Sequence, residues 1–118
     1  MLVESIVISG FPTPKESLFP FSVVPKSFKL YQNYPNPFNP STNIKYQVMS
    51  NVKGQMVNVR LIVYDISGRE IIILVNNRQS PGTYQVDFSG NNLSSGIYFY
   101  SLIVGGVLAG VKKMILLK

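Results

Sequence analysis

The strongest constraint on the fold of this chain lies in residues 33–43, which read Asn-Tyr-Pro-Asn-Pro-Phe-Asn-Pro-Ser-Thr-Asn. Each proline fixes its own φ at about −65° and removes a backbone donor. Each also pushes the preceding residue into an extended conformation, and asparagine side chains can bond backbone groups that lack a ladder partner. We therefore expect neither helix nor central strand here. The pattern predicts a stiff, extended lead-in segment, residues 33–40, pinned to the domain by Tyr34 and Phe38.

The composition fits one small domain with a basic surface. The chain has 118 residues, of which 46% are hydrophobic, and 11 Lys and Arg against 5 Asp and Glu give a net charge of +6. The basic residues are scattered, and the densest group is Lys112, Lys113 and Lys118. A nucleic-acid-binding protein would cluster them on one face among aromatic residues. The charge therefore indicates a solvated surface that suits an acidic partner or an envelope, and no nucleic acid.

The residue types needed for most catalytic and metal sites are scarce. The chain contains no Cys and no His, which removes disulfides, thiolate sites and the commonest general base and metal ligand. The five acidic residues are spread out, and no acid–base pair, triad or phosphate loop is indicated. No run reaches the about 18–20 apolar residues of a membrane-spanning helix. We expect no enzyme, no cofactor, no metal and no membrane span.

A domain boundary is predicted near residue 28. Every proline except Pro81 lies in the first 40 residues. Residues 1–27 are interpreted as the end of an upstream domain followed by a proline-rich linker, residues 11–27. The domain itself then covers residues 28–118. If the protein is exported, we expect this chain to be the C-terminal piece of a longer precursor, because residues 1–10 lack the basic start of a signal peptide.

Alternating apolar and polar residues predict strands from residue 44 onward. Residues 44–49 and 57–64 follow the two-residue period of half-buried strands. The β-branched run Ile71–Val75 predicts a strand buried on both faces. In residues 97–104 the same period places Tyr98 and Tyr100 on one face. Six or seven short strands without helical periodicity predict an antiparallel β-sandwich, and a small closed barrel is the alternative.

The segment from Asp65 to Arg69 is expected to make a hairpin turn. Asp65 can cap the turn, and Gly68 can adopt a positive φ where a Cβ would clash. Arg69 is expected to pair with Asp65 or Asp87 as a surface ion pair. These residues are interpreted as structural.

Several motifs occur in a fixed order along residues 28–118. They are Asn33–Pro40, Ile44-Lys45-Tyr46, residues 59–69 ending in Tyr-Asp-Ile-Ser-Gly-Arg, Gly82-Thr83-Tyr84-Gln85-Val86, Leu93–Tyr100 and Lys112–Lys118. This ordered set resembles the type A C-terminal sorting domain of the type IX secretion system. The chain departs from that pattern at Phe88, where members often have Trp, and in residues 49–56, which lack a frequent proline.

The resemblance implies an immunoglobulin-like sandwich of about seven strands that serves as an address label at the C-terminus of cargo proteins in gram-negative bacteria. Cargo would enter the periplasm by a Sec signal and cross the outer membrane through a translocon that reads the label. A sortase-like peptidase would then remove the label, with the linker as the expected cleavage region, and leave the cargo at the cell surface or outside the cell. The implied partners are the translocon, the peptidase and an N-terminal cargo domain.

The predicted recognition and motif residues are Asn33, Tyr34, Pro35, Asn36, Pro37, Phe38, Asn39, Pro40, Asp65, Gly68, Arg69, Gly96, Tyr98, Lys112, Lys113 and Lys118. The lead-in segment is interpreted either as a rigid strap or as a contact with the secretion machinery. The terminal segment, residues 112–118, could be read by strand addition to its free edge. Alternatively, Lys112 and Lys113 only prevent aggregation of that edge.

Two other functions compete with sorting. A carbohydrate-binding or adhesive sandwich module would need a flat exposed aromatic strip, for which Tyr98 and Tyr100 are the candidates. A passive spacer domain would work at any position within a precursor.

Overall fold

The structure is a computed structural model that describes residues 28–49 and 56–118. The predicted upstream segment and linker, residues 1–27, lie outside the described residues. The strands are β1 (Phe28–Leu30), β2 (Ser41–Val48), β3 (Val57–Tyr64), β4 (Glu70–Gln79), β5 (Gly82–Ser89), β6 (Gly96–Val104) and β7 (Val107–Leu116). The described ranges contain no helix. The all-β prediction with about seven strands is therefore confirmed.

The strands form two antiparallel sheets. One sheet has three strands in the order β1-β2-β5, and the other has four in the order β4-β3-β6-β7. Every pairing within them is antiparallel. Because the strands divide between two separate ladders whose inner faces share one core, the domain is a β-sandwich rather than a closed barrel, as predicted.

The core follows from the two-residue period of the strands. In β2, Thr42, Ile44, Tyr46 and Val48 are buried, whereas the residues between them are half-buried. From the opposite sheet, β3 contributes Val59, Leu61 and Val63, and β6 contributes Tyr98, Tyr100, Leu102 and Val104. Successive side chains of a strand point to opposite faces, so each strand sends one set of apolar side chains between the sheets.

Tyr98 and Tyr100 lie in this core, as the alternation predicts. Tyr98 is 8% exposed and Tyr100 is fully buried. The Tyr98 hydroxyl donates to Ser94 O at 2.6 Å. The alternative of an exposed aromatic strip made by these two rings is therefore wrong.

Strand β4 differs from its prediction. The run Ile71–Val75 was expected to be buried on both faces, yet Ile72 is 44% exposed and Ile73 is 40% exposed. The reason is position, because β4 is the edge strand of the four-stranded sheet. Its register with β3 shifts twice, between Leu61 and Ile62 and between Val63 and Tyr64. Such bulges blunt an edge that could otherwise pair with another chain.

The two outer faces of the sandwich differ in polarity. On the four-stranded sheet, the register places Ile73, Ile62, Ser101 and Val111 in one row across the strands. On the three-stranded sheet, the outward positions of β2 are all polar, namely Ser41, Asn43, Lys45 and Gln47.

A matched pair of isoleucines tests this assignment of core and edge. We expect Ile44→Ala to lower the free energy of unfolding by about 2–5 kcal/mol, because it leaves a cavity between the sheets. Ile72→Ala at the exposed edge should cost less than about 1 kcal/mol. Urea denaturation followed by circular dichroism measures both values, and equal losses would contradict the edge position of β4.

Candidate recognition site

The lead-in segment runs along the outer edge of β7 and pairs with it. Phe38 N donates to Ile115 O at 2.9 Å, and Leu117 N donates to Phe38 O at 3.0 Å. Ile115 N donates to the side-chain Oδ1 of Asn36 at 3.0 Å. The bridge between Phe38 and Leu116 is parallel. Because β6 pairs with the other side of β7, the end of the chain is held on both edges.

The terminal strand β7 is the edge strand of its sheet, but at residues 113–117 the lead-in already occupies that edge. Just before the lead-in, Gln32 Nε2 donates to Lys113 O at 2.6 Å. This bond extends the hydrogen bonding along the same edge toward the middle of β7. A strand read by strand addition needs unpaired backbone groups on one edge. At this edge the chain itself has already supplied the partner.

Phe38 is the apolar anchor of the lead-in segment, as predicted. Its side chain is 1% exposed, and its ring centroid lies 6.1 Å from that of Phe88. Gly90 stands beside it, where an added Cβ would lie 2.8 Å from Leu116 Cδ2 and 3.4 Å from Phe38 Cε2. A side chain at Gly90 would therefore push against the buried side chains of Leu116 and Phe38.

Tyr34 is not the second anchor that was predicted, since its side chain is 81% exposed. Its backbone pairs with that of Asn43 through two hydrogen bonds, from Tyr34 N to Asn43 O at 3.0 Å and from Asn43 N to Tyr34 O at 2.9 Å. Directly paired residues point to the same side of a sheet. Asn43 is an outward position of β2, so the pairing places the Tyr34 ring on the outer face.

Asn33, rather than Tyr34, is the second residue that anchors the lead-in to the domain. It is 2% exposed, and its backbone N donates to the Tyr100 hydroxyl at 2.7 Å. Its side-chain Nδ2 donates to Pro35 O at 3.1 Å and to Thr42 Oγ1 at 3.0 Å. The Tyr100 hydroxyl in turn donates to Tyr31 O at 2.8 Å. These bonds satisfy the polar groups at the start of the lead-in, where prolines prevent a regular ladder.

Burial raises the pKa of Tyr100 to about 12, although the bond from Asn33 acts in the opposite direction. The hydroxyl therefore stays protonated and can serve as a donor at neutral pH. No local pattern predicts that a tyrosine of β6 holds the lead-in, because the contact spans 67 positions.

The last residues are fixed as well. Met114 and Leu116 are fully buried, whereas Leu117 is 54% exposed. Lys118 N donates to Ser95 Oγ at 2.9 Å, and Lys118 Nζ donates to Asn91 O at 2.7 Å. The C-terminus is thus tied to the connection between β5 and β6, just before Gly96 begins β6. Lys113 and Lys118 are exposed, and Lys112 is half-buried.

Asp65, Gly68 and Arg69 form the predicted turn between β3 and β4. Asp65 Oδ1 accepts from Ser67 N at 2.9 Å and from Arg69 N at 3.0 Å, and Gly68 has a φ of 86°. Arg69 Nε lies 3.2 Å from Asp65 Oδ2. The Ser67 hydroxyl, followed by the Arg69 backbone N–H, lowers the pKa of Asp65. This turn makes its hydrogen bonds within itself and has a structural role.

Residues 28–49 and 56–118 bring together no group of three His, Cys, Asp or Glu side chains that could hold a metal ion. In the same ranges there is no helix of the length and apolar character needed to cross a membrane.

Comparisons with known proteins found a matching family model and similar solved structures. Residues 32–117 match the family model described as secretion system C-terminal sorting domain. The structure is similar to part of dimeric latent PorU from Porphyromonas gingivalis, with 22% identity and a TM-score of 0.59, covering 76% of this chain and 9% of that one. The sensor domain of the anti-sigma factor RsgI4 from Pseudobacteroides cellulosolvens gives 15% identity and a TM-score of 0.59, covering 81% of this chain and 98% of that one. At these identities the likeness shows the fold alone, and no curated protein matches the sequence.

The buried hydroxyl of Tyr100 predicts how stability changes at alkaline pH. Its pKa in the folded chain, about 12, lies above the ordinary value of 10.0, so the folded state holds this proton more tightly than the unfolded state. The protonated Tyr100 hydroxyl therefore makes its full contribution to the free energy of unfolding below about pH 10. That contribution is lost as the pH rises from about 10 to about 12.

We therefore expect the Tyr100→Phe variant to lose less stability over that pH range than the parent chain. At pH 7 the variant should be less stable by about 1–3 kcal/mol, because the Asn33 N–H loses its acceptor. Tyr34→Phe at the exposed ring is the control and should leave stability at pH 7 unchanged. Denaturant titrations at several pH values measure these effects, and an unchanged pH dependence in Tyr100→Phe would contradict the account.

Proposed function

The chain belongs to the family of secretion system C-terminal sorting domains, and we propose that its lead-in and terminal segments are recognised together as one folded signal. The family match covers residues 32–117, which is almost all of the described sandwich. The domain is accordingly a sorting signal of the type IX secretion system, which implies export to the cell surface or the extracellular space. A sorting domain of this kind is not itself catalytic.

The observation that carries the proposal is the ladder between the lead-in and β7. Asn36 and Ile115, which are 79 positions apart, share a hydrogen bond, and Phe38 bonds both Ile115 and Leu117. Each segment thus supplies the partners that the other lacks. The geometry of the terminal segment therefore exists only in the folded domain, and a short terminal peptide in solution would not have it.

In this proposal the export machinery reads side chains rather than a free strand edge. The exposed groups of the joined segments include Tyr34 from the lead-in and Lys113, Leu117 and Lys118 from the terminal segment. Their backbones are held by hydrogen bonds, so the points from which these side chains project are fixed. Such preorganisation lowers the entropic cost of binding. Strand addition at residues 113–117 would first require the lead-in to leave.

The remaining steps of the route follow from the family and are part of the proposal. A cargo domain precedes residue 1, and a Sec signal brings the precursor to the periplasm. The outer-membrane translocon then recognises the folded sandwich, and a sortase-like peptidase cuts within residues 11–27. A cut there lies N-terminal to β1 and would leave every described strand intact.

Reporter fusions test whether the signal is the fold or the terminal peptide. A reporter with a Sec signal is fused to residues 28–118, to residues 28–111 or to residues 112–118 alone, in a host with type IX secretion. We expect only the first fusion to reach the surface or medium, and the other two to stay in the periplasm. Cell fractionation and surface proteolysis measure the distribution of the reporter.

Each fusion addresses a different alternative. Secretion by residues 112–118 alone would contradict the composite signal, and secretion by residues 28–111 would contradict any role of the terminal segment. A fusion of residues 1–118 is the matched control and should be exported like residues 28–118. Placing residues 28–118 in front of the reporter tests the passive spacer hypothesis, which predicts that position has no effect.

A further inference from the structure

A polar, aromatic surface lies on the outer face of the three-stranded sheet, and Tyr34 is the one residue that it shares with the proposed sorting signal. We propose that this surface binds an anionic saccharide, a sugar chain that carries carboxylate or phosphate groups. Its central residues are Lys29, Tyr31, Tyr34, Asn43 and Lys45, which we name the cationic tyrosine patch. The proposal goes beyond sorting and holds or fails independently of it.

Two lysines converge on one ring in this patch. Lys29 Nζ lies 4.9 Å from the centroid of the Tyr31 ring, and Lys45 Nζ lies 4.7 Å from it. Tyr31 N donates to Lys45 O at 3.0 Å, so Tyr31 and Lys45 are neighbours across the strands, and Lys29 lies two positions back on the same face. Within the described part of the chain, no carboxylate oxygen lies within 4.0 Å of either ammonium group. Two ammonium groups held beside one ring attract an anion, which would relieve their mutual repulsion.

The exposed Tyr34 ring supplies a flat surface next to this charge. A hollow of about 340 Å³ lies on the side of the lysines, lined by Tyr31, Gln32, Tyr34, Asn43, Lys45 and Gln85. A second hollow, also about 340 Å³, is lined by Tyr34, Pro35, Ser41, Thr42, Asn43 and Asp87. Tyr34 and Asn43 line both. The backbone bonds between these two residues hold the segment that carries the ring, so a sugar ring can stack on it without ordering a mobile loop.

The end of the patch away from the lysines carries neutral and acidic hydrogen-bonding groups, so the two ends of the patch differ in charge. Asn43 Nδ2 donates to Asp87 Oδ1 at 2.9 Å, which leaves Asp87 Oδ2 and the side-chain Oδ1 of Asn43 as acceptors for hydroxyl groups. Gln85 adds an amide on the first hollow. Because Asp87 repels an anion, the charged group of a ligand belongs at the lysine end and its hydroxyl groups at the Asp87 end. A uronic acid carries a carboxylate and several hydroxyl groups on one ring, so an acidic sugar chain can offer its charge to the lysines and its hydroxyl groups to the Asp87 end.

A protein partner fits this surface less well. Protein interfaces are organised around a desolvated centre of apolar and aromatic side chains, and neither hollow is lined by an aliphatic side chain apart from the ring of Pro35. Stacking on tyrosine with amide and carboxylate groups on either side suits a hydrated, hydroxyl-rich ligand instead.

Titration calorimetry on the full 118-residue chain with hexagalacturonate tests the proposal. Neutral maltohexaose, inorganic phosphate and hexaglutamate are titrated in parallel. We expect hexagalacturonate to bind at one site, at least about tenfold more tightly than each of the other three probes, which corresponds to about 1.4 kcal/mol. The double variant K29Q/K45Q and the single variant Tyr34→Ala should each weaken its binding by about tenfold or more.

The matched control is K112Q/K113Q, which removes the same charge from β7 and should leave the affinity within about twofold. Equal losses in the two lysine pairs would overturn the proposal, because they would show unspecific attraction to net charge. Unchanged affinity in Tyr34→Ala, no binding of hexagalacturonate, or equally tight binding of inorganic phosphate would also overturn it. Hexaglutamate binding as tightly as hexagalacturonate would assign the patch to acidic peptides instead. Circular dichroism of each variant checks that the sandwich is intact.

Discussion

The pairing of the lead-in segment with the final strand is the contact on which the rest of this structure depends. It covers the edge of the chain end at residues 113–117, which a C-terminal strand would otherwise leave open to aggregation. The lead-in ends the sheet rather than extending it, because Pro35, Pro37 and Pro40 lack the N–H groups that a further strand would need. Phe38 provides the remaining backbone donor and acceptor toward β7, and its ring closes the core from the same position.

This arrangement explains how one segment can be both a strap and part of a signal. The groups that hold the lead-in are its backbone, the side chains of Asn33 and Asn36, and the Phe38 ring. The groups that remain for a partner are the exposed side chains, foremost Tyr34. The same division holds in the terminal segment, where Met114 and Leu116 are buried and Lys113, Leu117 and Lys118 are exposed. A folded export signal needs this division, because its stability and its recognition then depend on different atoms.

Much of the fold could be predicted from local patterns, and the failures have a common physical cause. The alternation in β2, β3 and β6 identified the inward side chains, and the prolines of residues 33–40 excluded helix and central strand. The predictions for Tyr34 and for Ile71–Val75 failed because each depended on which strand lies next to the residue in space. The ring of an aromatic residue beside proline can face the core or the solvent. For Tyr34 the choice depends on its pairing with Asn43, which no local pattern shows. A β-branched run fits an edge strand as well as a central one. The anchor role of Asn33 depends on Tyr100, to which no local pattern connects it.

The most direct test of this account is amide hydrogen exchange at Leu117 and Ile115, followed residue by residue by NMR in the 118-residue chain. The N–H of Leu117 lies one position from the last residue, where an unpaired terminus would exchange almost as fast as a free peptide. If the lead-in holds the final strand, both amides will be protected to a degree similar to the amides that join β6 to β3. Exchange of Leu117 and Ile115 at the rate of an unstructured terminus, while β6 stays protected, would contradict the central claim.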